Sequence, residues 1–426
     1  MKTKFLIAIL AMIMLVGFPL FAADPDSELY KPTDENEYRF AGESFVPTSV
    51  RVLGMGGASL GVKGYHDSFL FNPANLAKSG FKLSLPSITV TAFNAQKILM
   101  SEGLDLLLDG GEDDLLPGVE RLLKDVVKAN HGDVLTTDVS TAFTLGGFGL
   151  SINAQERLMS LREESWITTN LIAQVTAAAT VGFGLNIRAV PNVLDIDLGV
   201  SVQGVYKAYL GALTAGPVFT KLRAKEDLMP LFLNETPLMA GWALPISVGA
   251  NFNFPYGLSL SAVAKNINGN YTMTTYGSAN DWAEGILGNR LSDDAPKNSA
   301  VLEESWTLET PWSLDFGFTW APKFLGNLLQ PTIAIDVVDV MAMGGKQGNE
   351  LTESFLAQTR MGASVRVLSL LDLRYGINQG YQSVGVGFDL LVFHIDAAYY
   401  TQNYGSGLEA KESLDALSLR FSLISR

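Results

Sequence analysis

The chain has 426 residues, 30 basic against 44 acidic side chains, a formal net charge of −14 and no cysteine. That charge argues against a nucleic-acid partner, and the missing thiols exclude disulfides and thiolate metal sites. It is 47% hydrophobic yet only 17% charged, against roughly 25% charged in soluble domains, so its apolar side chains must fill a large core or face lipid.

At the start, Lys2 and Lys4 precede an apolar run from Phe5 to Phe18, and Ala22-Ala23-Asp24 follows. This order predicts a signal peptide over residues 1–22, with the mature chain beginning at Ala23 or Asp24. No later segment approaches the about 20 apolar residues of a spanning helix. Residues 23–80 form an N-terminal extension holding Arg51-Val52-Leu53-Gly54-Met55-Gly56-Gly57-Ala58 and the turn former Asn72-Pro73-Ala74. The glycine stretch lacks a preceding strand and a following Lys-Ser/Thr, which argues against a nucleotide loop. The residues alone leave two readings of this extension, a linker or a compact plug.

Residues 81–426 read as strands near Lys82–Ala95, Asp138–Gly146, Phe148–Glu156, Asn170–Gly182, Val193–Tyr209, Gly241–Phe254 and Leu258–Asn268, then Pro311–Ala321, Pro331–Val340, Ser354–Val367, Leu371–Asn378, Gln382–Leu391, Phe393–Gln402 and Ser413–Ser425. Connections after odd-numbered strands are mostly long and those after even-numbered strands are short, the asymmetry of an outer-membrane barrel. Gln379-Gly380-Tyr381 is the short exception. Within the strand near Pro311–Ala321, Trp312, Leu314, Phe316, Phe318 and Trp320 alternate with Ser313, Asp315, Gly317 and Thr319, so one face is greasy and has an indole at each end. That matches a tilted strand crossing a bilayer with Trp at both interfaces. Because an unpaired charge at the bilayer midplane costs about 2–4 kcal/mol, the charged faces must point into the lumen. The fold class is all-β, a transmembrane antiparallel β-barrel of about 14 strands, and the address is the outer membrane of a diderm bacterium.

Inward charges concentrate late in the barrel, at Arg360, Arg366, Asp372, Arg374, Asp389, His394, Asp396 and Arg420. Such a set can be a bracing lattice, or Arg360, Arg366 or Arg374 can receive a ligand carboxylate. Two long loops carry apolar residues: a helical stripe through Leu115, Leu116, Val119, Leu122, Leu123, Val126 and Val127, and the run Leu228, Met229, Leu231, Phe232 and Leu233. These pack loop against loop, or form a capture groove for an alkyl chain. The three histidines, His66, His131 and His394, show neither a serine-nucleophile context nor metal-ligand spacing, so no enzyme activity, metal or cofactor is expected.

The motifs Gly54-Met55-Gly56-Gly57-Ala58, Asn72-Pro73-Ala74, Gly385-Val386-Gly387-Phe388 and Ile395-Asp396-Ala397-Ala398-Tyr399 resemble the FadL-type family of outer-membrane long-chain fatty-acid transporters, a spirochaetal branch of it being the nearest in pattern. The resemblance implies a 14-stranded barrel with an N-terminal hatch inside it, carrying Asn72, Pro73 and Ala74 with Gly54, Gly56 and Gly57. It also implies passive uptake of hydrophobic small molecules, long-chain fatty acids or related lipids, past that hatch. Two departures stand out: the chain ends on Ser425-Arg426 without a terminal aromatic, leaving Phe421 in that role, and the third strand offers only Gly149 as a kink. From a different class, a membrane-embedded barrel that anchors or shuttles secreted or surface proteins is the alternative.

Overall fold

The computed structural model describes residues 42–425 except 110, 112–114, 130, 162–167, 225–232, 235, 292–300, 323–325, 327, 391 and 405–412. The signal peptide, Leu228, Met229, Leu231 and Phe232 therefore lie outside the described residues. The wall is a closed antiparallel barrel of fourteen strands: β1 (Lys82–Phe93), β2 (Gly132–Leu145), β3 (Phe148–Leu161), β4 (Asn170–Val190), β5 (Leu194–Thr214), β6 (Leu238–Ala243 and Ile246–Asn253), β7 (Leu258–Ile267 and Tyr271–Tyr276), β8 (Val301–Leu308 and Ser313–Trp320), β9 (Leu329–Val337), β10 (Thr359–Val367), β11 (Leu371–Asn378), β12 (Tyr381–Leu390), β13 (Phe393–Asn403) and β14 (Ser413–Ser425). Each strand pairs with its chain neighbours, and β1 closes the ring by pairing with both β2 and β14. No described helix is long and apolar enough to cross a membrane, and the ring leaves no backbone edge unpaired where β1 meets β14.

The alternation read from the sequence is the alternation of the wall. Phe316 and Phe318 are exposed on the outside, whereas Asp315 and Thr319 are buried inside. Ile333 and Ile335 on β9, Met361 on β10, Leu373 and Tyr375 on β11 and Leu419 and Phe421 on β14 continue the apolar belt around the ring. Phe421 packs on Phe393 with ring centroids 5.6 Å apart, so the last aromatic of the chain faces lipid. The belt defines an outer-membrane protein, with the short turns on the periplasmic rim.

Three adjacent strands, β6, β7 and β8, are each broken near the same height. Pro245 has no N–H to give to the ladder, Asn268 sits at φ 61° and Pro311 follows the end of the upper segment of β8. The long connection expected between the strands Leu258–Asn268 and Pro311–Ala321 thus contains Tyr271–Tyr276 and Val301–Leu308 as paired strand segments. β3, by contrast, runs unbroken, and a side chain at Gly149 would press on Leu76. Gly149 makes room for the N-terminal segment instead of kinking the strand. The strand expected from Ser354 begins at Thr359, because residues 348–358 form a helix.

Helices occupy the long-loop side. Leu115–Ala129 is a helix whose Leu122 and Val126 pack with Leu107 and Val134. Ala215–Ala224 and Ala279–Leu287 cover the outer face of β4–β7, burying Leu171, Leu210, Leu238 and Tyr276 beneath Val218, Phe219 and Ala279. Leu233 is buried in the same outer cluster.

Candidate functional site: the lumen and its N-terminal segment

The segment from residue 42 to residue 80 contacts inward side chains around the whole ring, and therefore lies within it. Its short helices are α1 (Val50–Gly54) and α2 (Ser68–Phe71), followed by a 3₁₀ turn (Pro73–Leu76). Pro73 pre-sets its own φ and keeps Asn72 extended, at φ −150° and ψ 109°. The Asn72 amide is used completely. Its Oδ1 accepts from Ala74 N at 3.0 Å, and its Nδ2 donates to Leu60 O at 2.9 Å and to Asn251 Oδ1 on β6 at 2.8 Å. Asn251 in turn donates to Asn75 Oδ1 at 3.0 Å and accepts from Ser261 on β7 at 2.7 Å. Gly199 on β5 lets the turn lie against the wall, since a Cβ there would run into the Pro73 carbonyl.

On the other side, α1 and the glycines after it lie against β10–β13. Gly56 has φ +63°, a conformation only glycine adopts at no cost, and a Cβ on it would come within 2.5 Å of Ile377 N. Gly54 faces Gly385, and Gly57 lies against the Arg360 side chain. Asp336 on β9 fixes the next stretch by accepting from Ser59 N at 2.6 Å and Leu60 N at 2.9 Å.

Charges brace this contact. Arg374 donates Nη1 to Asp396 at 2.5 Å and Nη2 to Asp372 at 3.0 Å, and Asp372 also accepts from Tyr65 of the segment at 3.1 Å. Arg366 meets Asp389 at 3.3 Å and lies over the Tyr65 ring at 5.1 Å, with Arg51 over the same ring at 4.1 Å. Arg360 donates to the carbonyls of Ala357 at 2.7 Å and Thr359 at 3.2 Å. The late-barrel charges do converge, with Arg366 and Arg374 engaged by carboxylates and Arg360 by backbone. His394 faces Asp396 at 2.6 Å and Asp389 at 3.3 Å. His66 Nε2 lies 2.7 Å from Arg420 Nη2, and burial first, then the Arg420 guanidinium, pushes its pKa down to about 3. Neither histidine is hydrogen-bonded to a serine hydroxyl, and among the described residues no cluster of His, Asp or Glu is placed to hold a metal.

Two cavities flank the segment. The one toward the long loops has a volume of about 280 Å³ and is walled by Phe45, Phe71, Phe93, Tyr400, Arg157 and Lys207 among others. The one toward the short turns has about 310 Å³ and is walled by Phe69, Leu76, Lys63, Lys78, Asp195 and Asp197 among others. The stretch Ser68–Leu76 separates them. Above the first lies an inward-facing apolar cluster containing Met159, Ile172, Tyr209, Met239, Tyr271 and Met273, which shares Phe45, Phe93 and Tyr400 with the cavity wall. At its base, Lys207 is only 1% exposed, donates to Glu43 O at 3.0 Å and lies 4.5 Å from the Tyr271 ring centroid. Arg157 is held on both oxygens of Asp133 at 2.9 Å and reaches Glu43 at 2.9 Å.

This apolar cluster, with Lys207 at its base, was not among the residues singled out from sequence. A signal for it exists: in Leu171-Ile172-Ala173, Ala208-Tyr209-Leu210 and Leu238-Met239-Ala240 the alternation fails, because both faces of the strand are covered there.

No protein-family model and no curated protein matches the chain. Among solved structures it is similar to the Pseudomonas putida toluene transporter TodX, at 11% identity and a TM-score of 0.42 over 89% of this chain and 98% of that one. It is also similar to a Pseudomonas aeruginosa FadL homologue, at 12% identity and a TM-score of 0.39 over 90% and 99% of the two chains.

Proposed function

We propose that the chain is an outer-membrane channel for hydrophobic small molecules, and that its natural cargo is a long-chain fatty acid or a related anionic lipid. The observation that supports this reading is the upper cavity, whose mixed wall holds Lys207 and Arg157 beside Glu43 and Asp133 and adjoins the inward apolar cluster. An alkyl chain would pack among Met159, Tyr209, Tyr271 and Met273, and its carboxylate would reach Lys207 and Arg157. The stretch Ser68–Leu76, anchored through Asn72 and Pro73, is the hatch: ligand passes from the upper to the lower cavity when that turn leaves the wall. Arg366 and Arg374 brace the hatch through their carboxylate partners, and Arg360 supports its glycine turn. Movement is diffusive. Leu228, Met229, Leu231 and Phe232, which lie outside the described residues, are the candidates for first capture of the ligand.

The test compares a long-chain fatty acid with its alcohol of equal length for binding to purified wild type and Lys207→Met. A hydrogen bond to a charged group contributes about 1.5–3 kcal/mol, so the variant should lose about 10- to 100-fold in acid affinity and little for the alcohol. Equal loss for both, or none for the acid, removes Lys207 from the site. Native mass spectrometry of the barrel drawn from its own membranes separates this reading from a protein-anchoring role, because lipid mass and a stoichiometric protein partner give different species.

A further inference from the structure

The helix Gly348–Gln358 joins β9 to β10 on the long-loop side, with its last carbonyl accepting from Val338 N at 3.0 Å. Both strands are 9 residues long, the length a tilted strand needs to cross the hydrocarbon. Their outward residues Ile333, Ile335 and Met361 face lipid. The C-terminal end of the helix, where Gln358 runs into Thr359, therefore lies where the bilayer ends. Its burial pattern is unlike that of a water-facing rim helix: only Ser354 and Ala357 are buried, while Leu351 is 41%, Phe355 46% and Leu356 47% exposed. At about 100° per residue, these three share a side with Thr352 and no charge, whereas Glu350 and Glu353 lie with Ser354 and Ala357. Met341, on the 3₁₀ turn before the helix, is 52% exposed.

We propose that this helix lies in the membrane interface, with the Leu351–Phe355–Leu356 face inserted among the acyl chains of the outer leaflet. The occupant follows from continuity: the uncharged face prolongs the lipid belt of β9 and β10, and an amphipathic helix at that depth buries its apolar side in the headgroup–acyl boundary. The helix then fixes the height at which this side of the barrel sits, independently of what passes through the lumen.

Because the chain has no cysteine, single labels report without background. Leu351→Cys, Phe355→Cys, Leu356→Cys and Glu353→Cys, each carrying a nitroxide, are reconstituted as the full chain in phosphatidylcholine–phosphatidylglycerol vesicles, with Met361→Cys as the belt reference. Retained heat-modifiability in detergent selects the folded variants. The first three labels should collide several-fold more with oxygen than with a neutral nickel chelate, as Met361→Cys does, and the Glu353→Cys label should show the reverse. Chelate access at all three positions equal to that at Glu353→Cys places the face in water and overturns the proposal. Access to neither quencher shows a covering protein surface and overturns it equally.

Discussion

Asn72→Ala removes a side chain that makes three buried hydrogen bonds, to Ala74 N, Leu60 O and Asn251 Oδ1. Two of the partners keep another bond, Leu60 O from Asn75 at 3.2 Å and Asn251 Oδ1 from Ser261 at 2.7 Å, while Ala74 N loses its acceptor. At about 1 kcal/mol per bond, the turn should be weakened by about 3 kcal/mol relative to a displaced state, which is about a hundredfold in the opening equilibrium. The wall should survive, because these bonds add to the ladder that closes the barrel without forming part of it. Amide exchange at Ala74 in the folded protein should accelerate by about that factor, and uptake of a labelled long-chain fatty acid into vesicles should rise. Adding Pro73→Gly should enlarge both effects by freeing the backbone. Wild-type exchange together with wild-type uptake would refute the assignment of this turn as the gate.

Phe316→Arg places a charge on the lipid face and should cost about 2–4 kcal/mol, read as lost heat-modifiability after folding into vesicles. Thr319→Arg, on the lumen face of the same strand, should also fail or expel the segment, because Thr319 is 2% exposed and packs on Gly61. Gly199→Ala should displace the Pro73 turn and speed exchange at Ala74, while Gly204→Ala, with Leu244 3.9 Å away as its nearest neighbour, should behave as wild type. His66 is neutral in the docked segment down to about pH 3, against about 6.5 when free. The docked His66 therefore binds fewer protons than the released one, so its contribution to docking is complete above about pH 6.5 and declines as pH falls toward 3. Exchange at Ala74 should accelerate on acidification over that window, and His66→Asn should flatten the profile.

The wall was legible because its determinant is local. Along β11, Leu371, Leu373, Tyr375 and Ile377 alternate with Asp372, Arg374, Gly376 and Asn378, because the outer face meets lipid and the inner face meets polar partners and the glycine turn, so period two survives in the sequence. Alternation vanishes where both faces are covered. Ile172 and Tyr209 line the lumen while their neighbours Leu171 and Leu210 lie under the helices Ala215–Ala224 and Ala279–Leu287, so the short apolar runs gave no face assignment. The run Phe355-Leu356-Ala357 reads in the sequence as part of a strand beginning at Ser354, because a short apolar run on a helix looks like a strand end. Thr319 carries no sign of a filled lumen, since that depends on Gly61, far away in the chain. The partners of Arg366 and Arg374 lie across an intervening strand, Asp389 on β12 and Asp396 on β13, or two residues away on the same strand, Asp372, and face parity does not choose among them. Asn72-Pro73-Ala74 stood out as a turn, yet its grip on Asn251 joins positions 179 residues apart.

The central claim, a hydrophobic ligand held inside the barrel above the Asn72 turn, is tested most directly by photolabelling the full chain in vesicles with a diazirine-bearing long-chain fatty acid. The labelled peptides are then mapped with and without excess unlabelled acid. Inward residues of the upper cavity and cluster, Phe93, Tyr209, Tyr271, Met273 and Tyr400, should be labelled and should lose the label under competition. Labelling confined to outward residues such as Phe316, Ile335 and Phe421, and indifferent to competitor, would mean that the acid merely dissolves in the bilayer around the barrel and would contradict the account.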